Sequence, residues 1–326
     1  MASFWSKLPK PFFVMAPMAD VTDAAFRALV AARGAPDVFW TEFVSADGLY
    51  HTREIKKVPD EENPLMRDLK KSPAERPIVA QVFSSDPDMI AYAAALIEKL
   101  GFDGIDINMG CPDASVEKQG CGSAMIRTPE IAQAVIHAAK RASGLPVSVK
   151  TRVGYHKETL DEWLPTLLKA APAAITLHLR TRKDLSLVPA DWNLMKKAVE
   201  IRDAVDPEVL LIGNGDVSDL EDAKAKVAAS GCDGAMLGRA LFGNPWVFAG
   251  RKADDVPREE KFSALMELAY AFEKLSPPKN FSILKKHIKA FVIGFEGAAP
   301  LRAQLMEAEN AAELAGVYID FYRALL

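Results

Sequence analysis

The chain has 326 residues, 49% of them hydrophobic and 26% charged, with 40 basic residues against 44 acidic ones. That length suits one large domain and a small one, and so ordinary a composition argues against a disulfide-stapled miniprotein and against wholesale disorder. A net charge of −4 gives no overall pull toward nucleic acid, so an RNA partner would need a local basic patch.

Near the start, Lys7 and Lys10 precede the apolar run Phe12–Ala19, in the manner of a short signal peptide. Pro9, Pro11 and Pro17 break it as a helix, and it reads instead as a buried strand of a cytoplasmic protein. It is the first of eight short apolar runs: Phe12–Met18, Val38–Val44, Pro77–Phe83, Gly104–Gly110, Pro146–Arg152, Ala173–Arg180, Val209–Gly215 and Gly234–Arg239. Most are nearly continuous rather than alternating, the pattern of parallel strands covered on both faces. No run approaches the ~18 residues of a membrane span.

Helical patterns separate most of them. Asp20–Arg33 ends at Gly34, Asp47–Lys57 is weaker, and Asp88–Leu100, Pro129–Arg141, Thr159–Ala171, Trp192–Asp203 and Ser218–Ser230 follow, the last with Ser218 as N-cap. Eight β/α units in about 250 residues predict a TIM (β/α)8 barrel. A doubly wound sheet is the alternative. After Arg251 no strand pattern remains. Glu259–Leu275, Ser282–Ile293, Pro300–Leu314 and Val317–Leu326 predict a small all-α bundle, so residues 1–250 and 251–326 are expected to be two domains.

Polar residues gather at the carboxyl ends of the predicted strands: Glu42, Gln81, Asn108 with Cys111, Lys150 with Arg152, His178 with Arg180, Asn214-Gly215-Asp216, and Gly238-Arg239. In a barrel these ends form the face that carries active sites. No His-x-x-x-His or Cys-x-x-Cys occurs, so no catalytic metal is expected. The three cysteines fit a reducing compartment. Glycines after the seventh and eighth strands suit phosphate binding through backbone N–H groups. Lys150 suits either a Schiff base or an anionic cofactor ring, and Gln81 favours the ring, since an amide suits an amide-edged heterocycle such as flavin. Cys111, in Asn108-Met109-Gly110-Cys111-Pro112, is held by a turn just past a strand, where a thiol can act as an acid.

Together these residues resemble the tRNA-dihydrouridine synthase family. The resemblance rests on Ala16–Asp23 with Phe26-Arg27, Thr41-Glu42, Gln81, Asp106–Pro112, Gly122–Ala124, Val149–Arg152, His178–Thr181, Gly213–Asp216 and Gly238-Arg239. The tail, with Lys286-His287 before Gly294-Phe295, is similar to the family's RNA-binding helical domain. Asp113-Ala114-Ser115 stand where many members carry lysines, with Lys118 later.

The resemblance implies an FMN enzyme that reduces the C5=C6 bond of particular tRNA uridines to dihydrouridine, with NADPH as electron source. It implies that Pro17, Met18 and Ala19 line the flavin, that Gln81 and Lys150 contact its ring, and that Asn214, Gly215, Asp216, Gly238 and Arg239 hold its phosphate, with His178 close by. Cys111 becomes the catalytic acid, and Asn108 and Arg152 hold the base. Hydride passes from reduced flavin to C6, and the thiol protonates C5. Lys279, Lys285, Lys286, Lys289 and Arg302 lie in one stretch with a single acid, Glu296, and Lys285, Lys286 and Lys289 are expected to meet tRNA phosphates. A monomer is expected. The rival readings are an FMN reductase of free pyrimidines, of dihydropyrimidine or dihydroorotate type, a non-catalytic tRNA-binding or chaperone protein, and a Lys150 aldolase.

Overall fold

Eight short strands form the centre of the computed structural model, which describes residues 3–323. They are β1 Phe12–Met15, β2 Phe39–Ser45, β3 Ile78–Phe83, β4 Gly104–Met109, β5 Val147–Arg152, β6 Ala174–His178, β7 Leu210–Asn214 and β8 Gly234–Leu237. Each matches one predicted run. All pairings are parallel, in the order β1-β8-β7-β6-β5-β4-β3-β2. A bridge between Val14 and Val38, with Met15 N–H donating to the Val38 carbonyl at 3.1 Å, closes the ring. Continuous apolar runs form these strands because the sheet is covered on both sides. Phe12, Val14, Trp40, Val79, Ile212 and Met236 make up one apolar cluster, joined by Trp5 from a short 3-10 turn. A second, larger cluster joins the sheet to the surrounding helices.

The helices are α1 Ala24–Arg33, α2 Ala46–Tyr50, α3 Pro64–Asp68, α4 Pro87–Lys99, α5 Ala114–Glu117, α6 Pro129–Ala142, α7 Leu160–Lys169, α8 Asn193–Val205 and α9 Leu220–Ser230. Two predicted starts need correction. Helix α1 begins at Ala24 rather than Asp20, because Asp23 accepts the Phe26 N–H at 3.0 Å and Asp20 sits at φ 56°, outside helical space. Asp219, not Ser218, caps α9: it accepts from Asp222 N–H at 2.8 Å, while the Asp222 carboxylate accepts from Ser218 N–H at 2.9 Å. The short α3 and α5 have too few residues to show a periodic pattern.

The tail contains α10 Arg258–Glu273, α11 Lys285–Phe291, α12 Ala298–Leu305 and α13 Ala311–Arg323. The break expected after Leu314 falls instead at residues 306–310, and Gly316 lies inside α13. Asn310 explains the shift, since its side chain accepts the Glu313 N–H at 2.8 Å and so starts the last helix. Residues 324–326 of the predicted terminal helix lie outside the described residues. The tail packs on the barrel through α10 against α1 and through His287, whose ring lies 4.5 Å from that of Phe26. The larger apolar cluster runs through both parts, from Phe26 and Leu29 to Phe262, Leu265 and Ile288.

Candidate active site

A cavity of about 260 Å3 opens at the carboxyl ends of the strands. Its walls come from the segment after β1 (Ala16, Pro17, Met18), from Lys150 of β5 and His178 of β6, and from the turns after β7 and β8. The β7 turn is shaped by close packing. A Cβ on Gly213 would lie 2.4 Å from the Trp192 ring, and one on Gly215, at φ +123°, would lie 2.8 Å from the Ala190 Cβ. Trp192 also donates its indole N–H to the Gly215 carbonyl at 2.8 Å. Only glycine fits these two positions.

The cavity is cationic. Lys150 Nζ donates to Asn214 Oδ1 at 3.1 Å, and the Asn214 amide is fixed by the Met236 carbonyl at 2.9 Å. Burial, helped by Arg152, pulls the Lys150 ammonium down to about 8. Arg180 donates to Asp216 Oδ2 at 2.5 Å, and Arg239 bonds the other oxygen. The Arg180 hydrogen bond holds the Asp216 carboxyl below the usual range. Burial and the surrounding cations push His178 far down, so it is neutral at pH 7. Arg180 Nη1 lies 3.0 Å from His178 Nε2. A guanidinium only donates, so Nε2 accepts and the imidazole proton belongs on Nδ1. The cavity lining thus carries three cations, Lys150, Arg180 and Arg239, against one carboxylate, Asp216, a set that accommodates an anionic group such as a phosphate.

A buried polar chain starts one layer below Lys150, at the level of Ser148 and Asp106, and rises to the Cys111 turn. Ser148 donates to Asp106 at 2.6 Å, Gln81 donates to Asp106 at 2.7 Å, and Asn108 donates to Gln81 Oε1 at 3.1 Å. Asn108 Oδ1 then accepts the backbone N–H groups of Gly110 at 3.1 Å and Cys111 at 2.9 Å. Burial raises the Asp106 carboxyl to about 6, against the pull of its Ser148 and Gln81 donors. The chain ends by setting the turn that carries Cys111, whose carbonyl accepts from Ser123 N–H and Oγ, each at 2.9 Å. Cys111 is half-buried, and burial pushes its thiol up, so it is protonated at neutral pH. Cys121 is buried in an apolar cluster with Phe83 and Val116.

Several expected site residues therefore sit in different layers. Pro17, Met18, Lys150, His178, Asn214, Gly215, Asp216, Gly238 and Arg239 line the cavity. Gln81 is fully buried below it, with its amide engaged at both ends. Arg152 donates to the carbonyls of Gly110 at 2.8 Å and of Thr181 and Leu185 at 3.0 Å. Burial lowers its guanidinium to about 10, which leaves it charged. Trp192 stands at a predicted helix start and Arg180 at a predicted strand end; nothing in sequence spacing links them to Gly215 and Asp216.

The basic stretch of the tail divides into two groups. Lys285, Lys286 and Lys289 are exposed on α11. Lys279 is 5% exposed and salt-bridged to Glu42 at 2.6 Å and Asp68 at 3.5 Å. It ties the tail to the barrel instead of facing solvent. Arg302 donates to the Val292 carbonyl at 2.8 Å. Among the described residues no group of three or more His, Cys, Asp or Glu side chains could hold a metal, and no helix is long and apolar enough to cross a membrane.

Fold and site define a TIM-barrel enzyme whose working cavity lies at the carboxyl ends of its strands. The model of the dihydrouridine synthase (Dus) family matches residues 14–324, and the chain belongs to that family. It is 38% identical over 326 residues to a probable tRNA-dihydrouridine synthase of Staphylococcus aureus (strain COL), covering 98% of this chain and 95% of that one. It is 39% identical to probable tRNA-dihydrouridine synthase 2 of Bacillus subtilis (strain 168), covering 99% and 98%. Among solved structures it is similar to a 2-naphthoyl-CoA reductase, with a TM-score of 0.56 at 9% identity. That match spans 73% of this chain and about half (49%) of the other, a likeness of fold alone.

Proposed function

We propose that this protein is a tRNA-dihydrouridine synthase that binds FMN in the cavity, takes electrons from NADPH and reduces particular uridines in tRNA. The observation that carries the reading is a protonated, half-buried thiol, Cys111, held by a buried polar chain beside the cationic cavity of a chain with a full-length family match. In this reading residues 1–250 form the catalytic domain and residues 251–326 the tRNA-binding domain.

FMN, when bound, supplies the hydride that saturates C6 of the uracil ring. The chain's own residues do the rest. Arg239 and the turns at Gly215-Asp216 and Gly238 would hold the phosphate, with Arg180 keeping the Asp216 carboxylate ionised and engaged. Lys150, mostly protonated at pH 7, would offset negative charge on the cofactor ring. Cys111 gives its proton to C5 and is reprotonated from solvent. Asn108 fixes the Cys111 turn through its side-chain oxygen. A uridine in folded tRNA reaches a barrel mouth only after leaving its stack.

Purified protein is expected to be yellow and to release FMN rather than FAD on denaturation. The test of the whole reading is mass spectrometry of tRNA treated with the protein and NADPH, where one or more uridines should gain two hydrogens. Colourless protein that cannot be reconstituted with FMN would sink it, and reduction of free pyrimidines without tRNA would move it to the rival class.

The exposed face of α11 provides the second measurement. Changing Lys285, Lys286 and Lys289 together to alanine should weaken tRNA binding and flatten its salt dependence, by roughly 0.7–0.9 in log–log slope per lost phosphate contact. Flavin content should not change, because none of the three lines the cavity. Wild-type affinity and slope in the triple variant would place the RNA surface elsewhere.

A further inference from the structure

The loop between β6 and α8 carries three of the protein's exposed large apolar side chains within four residues: Leu185 at 38%, Leu187 at 83% and Val188 at 44%. Such side chains scattered singly need no explanation, but a cluster at the rim of a working cavity does. Ser186, between them, lines that cavity.

The loop is not slack. Two deeply buried arginines hold its backbone. Arg152 donates to the Leu185 carbonyl at 3.0 Å, and Arg180 donates to the Val188 carbonyl at 2.6 Å. Asp184 accepts from Thr181 N–H at 3.1 Å and Thr181 Oγ1 at 2.6 Å, and the Leu187 N–H donates to the Asp184 carbonyl at 2.9 Å. Leu185 is kept at φ 51°, a conformation that β-branched and bulky residues avoid. Buried cations and an uncommon backbone angle therefore fix an apolar tip that projects into solvent beside the cavity.

We propose that Leu187, with Leu185 and Val188 beside it, is a wedge that enters the tRNA stack next to the target uridine and keeps the extruded base from returning. The inference rests on the tRNA reading above. Apolar side chains inserted between bases are a recurrent way to hold nucleic acid unstacked. The neighbouring charge suits an RNA backbone, since Lys183 on the same loop is exposed. Leu187 lies outside the cavity lining, so its role is in positioning substrate.

The test compares Leu187→Ala and Leu187→Met with the wild type. Flavin content and flavin reduction by NADPH should be equal in all three. Single-turnover oxidation of the reduced enzyme by folded tRNA should slow by at least about tenfold in Leu187→Ala and recover in Leu187→Met. On a short unstructured RNA containing uridine, with no stack to open, Leu187→Ala should match the wild type. A tRNA carrying 2-aminopurine beside the modified position should brighten on binding wild-type protein without NADPH and stay dim with Leu187→Ala. Equal rates on folded tRNA and equal fluorescence would overturn the wedge alone. Normal turnover coupled with loss of self-association in Leu187→Ala would make the loop a contact between copies and also overturn it. A wild-type protein that makes no dihydrouridine in tRNA would overturn the functional reading, and the wedge with it.

Discussion

Cys111→Ala is expected to bind flavin, accept electrons from NADPH and bind tRNA normally, yet fail to complete the reduction of uridine. The side chain contributes only the proton for C5, so its loss leaves the earlier steps intact. Removal of a general acid typically costs about 10²–10⁴-fold in rate. Burial raises the thiol above its usual value, which keeps the donor form present through neutral pH. Cys111→Ser should be nearly as slow, because a hydroxyl is a far weaker acid than a thiol. The turn itself should survive either change, since it is held through the backbone N–H and carbonyl of residue 111. Cys121→Ala is the control. Its thiol lies in the apolar cluster with Phe83 and Val116, so the change should lower stability modestly and leave the chemical step alone. Single-turnover reoxidation of reduced flavin by tRNA decides. Normal turnover in Cys111→Ala with a loss in Cys121→Ala would move the acid to Cys121.

The barrel was legible because a parallel strand buried on both faces is a short apolar run, and eight such runs stand out from the helices between them. Polar residues at the run ends gave the mouth for the same reason: a polar side chain late in an apolar run needs an explanation. What sequence reading cannot supply is depth. Gln81 and Lys150 both come late in their strands, yet the Gln81 amide is engaged at the level of Asp106 and Ser148, one layer deeper than Lys150, which lines the cavity. Contacts between distant segments were equally hidden. Trp192 against Gly213 and Gly215 depends on how α8 starts over the end of β7. In sequence Lys279 is one more basic residue of the tail, because its partner, Glu42, lies on β2, far away along the chain. Helices α1 and α9 start later than Asp20 and Ser218 because Asp23 and Asp219 are competing caps one to three residues on, which periodicity does not register.

Lys279→Met is expected to destabilise the protein by about 3–5 kcal/mol, the usual cost of removing one partner from a buried ion pair. Lys279 and Glu42 are each 5% exposed and 2.6 Å apart. Glu42 also accepts the Asp20 N–H, so the pair joins the tail, β2 and the segment that follows the cavity-lining residues after β1. Burial raises the Glu42 carboxyl above its ordinary value, and Lys279 opposes that rise. Removing the ammonium should therefore push the Glu42 carboxyl higher still. A carboxyl raised in the folded state contributes most to stability below its unfolded value near 4.5, and that contribution is lost as pH climbs through the folded value. The deficit of Lys279→Met should accordingly be largest at neutral and alkaline pH and shrink as pH falls and Glu42 takes up a proton. Glu42→Gln combined with Lys279→Met should recover much of the loss and flatten this pH dependence, because no lone charge remains buried. Denaturant midpoints of the wild type, the single and the double variant across pH 5 to 9 test the argument. A deficit independent of pH, or a double variant no better than Lys279→Met, would show that the lysine acts by packing and not by neutralising Glu42.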